Sequence, residues 1–274
     1  MSTLRHAGSR RFSLGWIALA VYGAYLVVPL LSILAVSLRV TAEHPGTVVG
    51  DLSLINYANI WRSPDLMAAI ANSFAYVLLN IAITIPVALP AAYAFSRFAF
   101  AGDKHVFFML IAFRVTPPVV LVLPVFFVFS SLGLLNSPLG IALAHCLFTV
   151  PISIWVLETF MTAIPRELDE TAFLDGYSVP RFFVKILIPL MAPGIGVAAF
   201  FCFMFSWVEV VFARILTITN GKPITMAINA LFGFSTDIGL VMAMTAVSLI
   251  PGALMIFFVR NHIAKGFTIG KSAG

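Results

Sequence analysis

Charge is scarce in this chain. Lys, Arg, Asp and Glu make up 10% of its 274 residues, where a soluble domain carries about 25%. A solvated surface over most of the molecule is thereby excluded. Cysteine is nearly absent too: Cys146 and Cys202 are the two present, and both sit inside apolar runs, which excludes a disulfide framework and a thiolate metal site. No HExxH, CxxC pair or GxSxG occurs, so metallohydrolase and serine-hydrolase chemistry find no support. A phosphate-binding P-loop is also missing. Gly270-Lys271-Ser272 carries its last three letters, but Lys265 stands where the first glycine belongs and Gly266 is one residue too close. Any use of ATP must therefore reside in another chain.

What is present is apolar length. Hydrophobic residues reach 61% and mean hydropathy is +1.05. The excess comes in six runs, near Trp16–Leu38, Ile70–Phe95, Val106–Phe129, Pro138–Met161, Ala192–Leu216 and Ile238–Val259. Each has the roughly 20 residues that cross about 30 Å of hydrocarbon at about 1.5 Å per residue. None alternates with period 2, so helices are expected and barrel strands are not. An all-α integral membrane protein of six transmembrane helices follows. The first run is too long for a signal-peptide core and no small-x-small site follows it. Transmembrane residues 16–260 are expected between tails at 1–15 and 261–274.

Placement of the basic residues sets an expected orientation. With the N-terminus inside, Arg5, Arg10, Arg11, Arg97, Lys104, Arg166, Arg181, Lys185, Arg260, Lys265 and Lys271 lie on the cytoplasmic side. Arg39, Arg62, Arg214 and Lys222 lie outside. Both termini are then cytoplasmic, and the net charge of +5 reflects inner loops facing membrane lipid, not a nucleic-acid partner. The longest outer segment, from Val40 to about Ala69, holds turn residues at Pro45-Gly46 and Ser63-Pro64 and one short helix near Ile55–Arg62. Pro86 and Pro90 in the second run, and Pro117, Pro118 and Pro124 in the third, predict bent spans, since each removes a backbone donor. Simple kinked packing and a curved wall around a central path are both compatible with them.

One polar stretch, about 165–190, separates the fourth and fifth runs. Pro165 closes the preceding helix, and Glu167, Asp169 and Glu170 stand where carboxylates favour the start of another. Gly176 permits the positive φ that ends it. Ser178 then suits an N-cap and Pro180 a first turn, with Phe182, Phe183, Ile186 and Leu187 as an apolar surface running to Pro189. Two short helices joined at a glycine make a rigid knuckle. Its spacing resembles the cytoplasmic EAA loop of the membrane subunits of bacterial ABC importers: Glu-Ala-Ala, three residues, Gly, nine residues, Ile-x-Leu-Pro. Glu170, Ala172, Gly176, Ile186 and Pro189 match, and Asp175 precedes the glycine as in the sugar-importing branch. Thr171, Tyr177 and Ile188 depart from the pattern.

The resemblance implies a type I importer permease fold in a bacterial inner membrane, with the knuckle as the coupling helix that docks on an ATPase. Glu170, Thr171 and Ala172 then belong to the docking helix, Asp175, Gly176 and Tyr177 to the turn, and Ile186 and Pro189 to the second helix. Implied partners are a second, related permease chain, two ATP-binding cassette subunits and an extracytoplasmic solute-binding protein. ATP and Mg would bind those cassettes, and this chain would hold no cofactor. Asn72-Ser73, Arg114-x-x-Pro-Pro and Ser206-Trp207-x-Glu209 further resemble the carbohydrate-uptake branch typified by the maltose permease's smaller subunit.

Charged residues inside a span face a bundle interior or a wet cavity. Arg114 and Glu209 either pair with each other to lock helices, or line a pathway with Trp155, Trp207 and Asn72 for a sugar or polyol. His145, in the fourth run, suits a hydrogen-bonded core position. Two other readings stay open: an importer of the same kind for an amino acid, polyamine or phosphate, and a secondary transporter.

Overall fold

The six apolar runs fold as helices of unequal kind. A computed structural model describes residues 7–40, 50–233 and 236–269; the turn expected at Pro45-Gly46 lies outside them. Among the described residues four helices are long and apolar enough to cross a membrane. They are α1 (Ala7–Ser37), α3 (Pro64–Arg97), α6 (Pro138–Thr162) and α12 (Ile238–Ile269). The expected outer helix is α2 (Ile55–Arg62). Among the described residues no strand forms beyond one isolated antiparallel bridge between Arg39 and Leu52.

The third and fifth runs are not single straight helices: the third breaks at the prolines that predicted its bend, and the fifth is interrupted inside its expected extent. In the third, α4 (Asp103–Arg114) and α5 (Pro118–Ser131) meet at 97°. Pro117 is extended there, at φ −62° and ψ 135°, and the two prolines withhold the amides that would continue α4. The fifth run stops early. Helix α10 (Ala192–Val208) ends at Glu209, whose backbone is extended, and α11 (Val211–Leu216) restarts after it. At its other end α10 meets the helical stretch Val179–Leu190 at 79°. If each bent pair counts as one span, the total is six. Helix α3, by contrast, runs unbroken through Pro86 and Pro90.

The chain divides into two compact units. The first comprises residues 1–63 and 230–249. Buried Asn56 organises it, donating from Nδ2 to the carbonyls of Ser37 and Arg39 at 2.9 Å each. Gly239 is required there, because an added Cβ would stand 2.6 Å from that amide nitrogen.

The second unit comprises residues 64–229 and 250–274. Helices α3 and α6 form its spine, and α10 packs on both. Small residues permit the close approach: Ala88, Ala92, Ala142, Ala144 and Ala198 are fully buried. One apolar cluster gathers Leu89, Tyr93, Leu157, Met161, Phe182 and Leu187; another gathers Tyr76, Val122, Ile141, Phe148, Phe212 and Leu216. Asn80 sits within the α3–α6 seam, with no exposure. Its Nδ2 donates to the Ala142 carbonyl at 3.2 Å and to Thr149 Oγ1 at 3.0 Å, and Thr84 joins Thr149 at 2.9 Å. Interhelical hydrogen bonds of this kind contribute about 0.6 kcal/mol each, with an upper end near 1.7. Asn80→Ala is therefore expected to destabilise the protein by about 1 kcal/mol, read from unfolding titrations in mixed micelles; unchanged stability would remove the seam's polar cluster from the account.

Candidate functional site

The polar stretch between the fourth and fifth runs folds into the expected elbow. Helix α7 (Glu167–Leu174) carries Glu167, Asp169 and Glu170 in its first turn. Asp175 follows, then Gly176 at φ +81°. The Gly176 amide donates to the Phe173 carbonyl and the Tyr177 amide to the Ala172 carbonyl, both at 3.1 Å. These are the two bonds of a Schellman turn, and they satisfy carbonyls that the helix end would otherwise orphan. A Cβ on Gly176 would meet nothing within 4 Å, so its requirement for glycine is purely one of backbone conformation.

The second arm begins with Ser178 at the N-cap position, in extended backbone. Its hydroxyl makes no capping bond, so the start rests on Pro180 in the first turn. Helix α8 (Val179–Phe182) passes into a π turn over Phe183–Leu187 and then α9 (Ile188–Leu190). Helical structure thus continues one residue beyond Pro189. The wider i→i+5 turn brings Phe182 and Leu187, five residues apart, both to buried positions. Phe182 packs against Phe173 of the first arm, ring centroids 5.1 Å apart.

The elbow has two faces. Ala172 and Asp169 are buried within it, and Tyr177 and Ile186 are half-buried. Glu170, Thr171, Asp175, Gly176 and Pro189 are exposed. So are Leu174, at 88%, and Val179 and Val184. An open depression between the arms is lined by Pro165, Glu167, Leu168, Thr171, Ala172, Asp175 and Ile186. Exposed apolar side chains beside a concavity are what a protein-docking surface presents.

Beneath the elbow lies a contact that sequence reasoning missed. Arg97, at the end of α3, donates from Nε to Asp169 Oδ2 at 2.7 Å, with both side chains over nine-tenths buried. The same guanidinium reaches the Met161 and Ile164 carbonyls at 3.3 and 3.0 Å. Arg166 returns a bond to the Ser96 carbonyl at 2.9 Å. Asp169 is thus an ion-pair partner as well as a first-turn carboxylate.

The intramembrane candidates do not form one cluster. Glu209 pairs with His145, Nε2 to Oε2 at 3.3 Å, and its carboxylate accepts from the amides of Phe212 and Ala213 at 2.9 and 3.4 Å. His145 Nδ1 and Ser206 Oγ lie 3.0 Å apart, so the histidine is the core residue its position suggested. Arg114 is the last residue of α4, with its guanidinium carbon 5.4 Å from the Phe205 ring centroid; no ion pair between it and Glu209 is seen. Trp207 is buried and stacks on Phe203 at 5.5 Å, whereas Trp155 is 47% exposed. Asn72 is half-buried and donates to the Lys222 carbonyl at 3.2 Å.

Comparison with known proteins gives the family and the fold. The pattern defining the family "binding-protein-dependent transport system inner membrane component" matches residues 84–269. The chain is 28% identical to the trehalose transport system permease protein SugB of Mycobacterium tuberculosis, covering 97% of this chain and 100% of that one. It is 30% identical to the trehalose/maltose transport system permease protein MalG of Thermococcus litoralis, covering 81% and 82%. In fold it matches a chain of a bacterial ABC transporter involved in the import of the acidic polysaccharide alginate, with TM-score 0.77 over 95% of this chain and 99% of that one, at 18% identity. With the family pattern spanning most of its length and the helical architecture in place, the chain belongs to the inner membrane components of binding-protein-dependent transport systems.

Proposed function

We propose that this chain is one permease subunit of an ABC importer for a carbohydrate or polyol. It works by alternating access, driven by ATP hydrolysis in partner subunits. The elbow at Gly176 carries the reading. A connection between two spans needs only a few polar residues, yet this one builds two arms, a Schellman turn and an exposed apolar rim at Leu174, Val179 and Val184. That rim suits the groove of an ATPase. The absence of a P-loop from the sequence accords with ATP and Mg being bound by two such partners and not by this chain. A second, different permease and a solute-binding protein complete the assembly, in a bacterial inner membrane with both termini cytoplasmic as the basic loop residues favour.

The cargo assignment rests on the relatives that carry trehalose and maltose in their names. Arg114 and Trp155 are the residues best placed to meet a hydroxylated solute. Arg114 stands where α4 breaks toward α5, and Trp155 shows an open indole face. Asn72, Trp207 and Glu209 instead make the internal contacts described above. Reconstitution separates this reading from a secondary transporter: uptake should require ATP, the cassette subunits and the binding protein. Uptake by the isolated chain under an ion gradient would contradict it.

Three further outcomes are expected. Gly176→Val forces a β-branched residue into positive φ, at about 1–2 kcal/mol or more, and should lower solute imported per ATP hydrolysed in the reconstituted complex; an unaltered ratio would detach the elbow from coupling. Arg114→Ala should cut uptake about tenfold with the complex intact, the loss of one charge-assisted contact. Glu209→Ala, by contrast, leaves His145 Nε2 and two α11 amides without their partner and should cost about 3 kcal/mol of stability. Thermal unfolding alongside uptake assays distinguishes the two, and equal stability loss in both would refute the division of roles.

A further inference from the structure

The last turn of α3 touches both arms of the elbow. Tyr93, Ser96 and Arg97 stand at i, i+3 and i+4 and so share one helix face. Arg97 holds the first arm through Asp169, and Ser96 accepts from Arg166 just ahead of that arm. Tyr93 packs under the second arm, its ring centroid 6.0 Å from Phe182 and 5.1 Å from Phe183. Arg97 also ties in the end of α6 through the Met161 and Ile164 carbonyls. Helix α3 is therefore joined to the elbow although 72 residues separate the ion-paired positions.

We propose that Arg97 is a positioning residue for coupling: its buried pair with Asp169 delivers movement of the elbow into α3, a span the elbow does not adjoin in sequence. This rests on the coupling role proposed for the elbow. The physical ground is stiffness. An exposed ion pair slides and is screened. A buried guanidinium that also holds two carbonyls and the Ser96 hydroxyl is fixed at several points, and separating it from Asp169 strands a carboxylate in a dry site. Pushing α7 must then carry the end of α3 with it. Helix α3 bears Asn80 and Thr84 in the α3–α6 seam, so the push reaches the packed centre of the unit by way of a single rigid helix.

The test is the number of solute molecules imported per ATP hydrolysed, measured in proteoliposomes with the complete transporter. Arg97→Gln and Asp169→Asn should each lower this ratio about tenfold or more, as expected when a buried pair is broken. Arg97→Lys keeps the charge but loses the fork that reaches the carbonyls, and should fall between wild type and Arg97→Gln. A purely structural role predicts less assembled transporter with an unchanged ratio, and that result overturns the proposal. So does a ratio for Arg97→Lys no higher than for Arg97→Gln. If the Arg97 variants fail to assemble, Asp169→Asn carries the test alone, and an unchanged ratio in that variant has the same force. Gly176→Val serves as the reference. If it lowers the ratio and the Arg97 and Asp169 variants do not, this inference fails and the coupling role stands; if Gly176→Val also leaves the ratio intact, the coupling role itself falls.

Discussion

A chain that leaves the bilayer and returns within some twenty residues must reverse direction without stranding backbone groups. Here that reversal hangs on one residue in positive φ. Gly176 lets its own amide and that of Tyr177 turn back onto the carbonyls of Phe173 and Ala172. The first arm is thereby closed, and Ser178 is left extended to start the second. With the turn fixed, Phe173 meets Phe182, and Phe182 meets Tyr93 below. The outward rim of Leu174, Val179 and Val184 is what remains when those inward contacts are filled.

The same demand for satisfied backbone explains the polar residues inside the spans. Where α10 ends, two amides of α11 would face a dry interior. The Glu209 carboxylate accepts from both, and His145 Nε2 lies 3.3 Å from its Oε2. An intramembrane acid that looks from sequence like a solute ligand thus begins as the repair of a helix break. Arg114 differs, since its documented neighbour is the face of Phe205, a weaker and more replaceable partner. One break is filled by protein, and the other keeps a cation beside an aromatic surface.

Features set by neighbouring residues were legible in the sequence. Apolar runs gave the long helices, Pro165 and Gly176 gave the limits of the first arm, and Pro117-Pro118 marked the break of the third run. Pro86 and Pro90 lie inside α3 without ending it, since a helix packed by protein tolerates them. The stop of α10 at Val208 was invisible: no Pro or Gly stands there, and extended backbone at Glu209 is stabilised by contacts across 64 positions to His145. Arg97 and Asp169 were each assigned a local role, loop charge for one and helix-start acid for the other. Their pairing is a fact of topology, and neither residue's neighbours announce it.

The central claim is that the elbow is gripped by a nucleotide-hydrolysing partner. Introducing cysteine at Leu174, the most outward side chain of the elbow at 88% exposure, and crosslinking it within the assembled transporter tests this most directly. A covalent adduct to the ATPase subunit, whose yield changes when ATP is bound, is the predicted result. Free reaction of that cysteine with a membrane-impermeant reagent added outside intact cells, and no adduct to any ATPase, would contradict it.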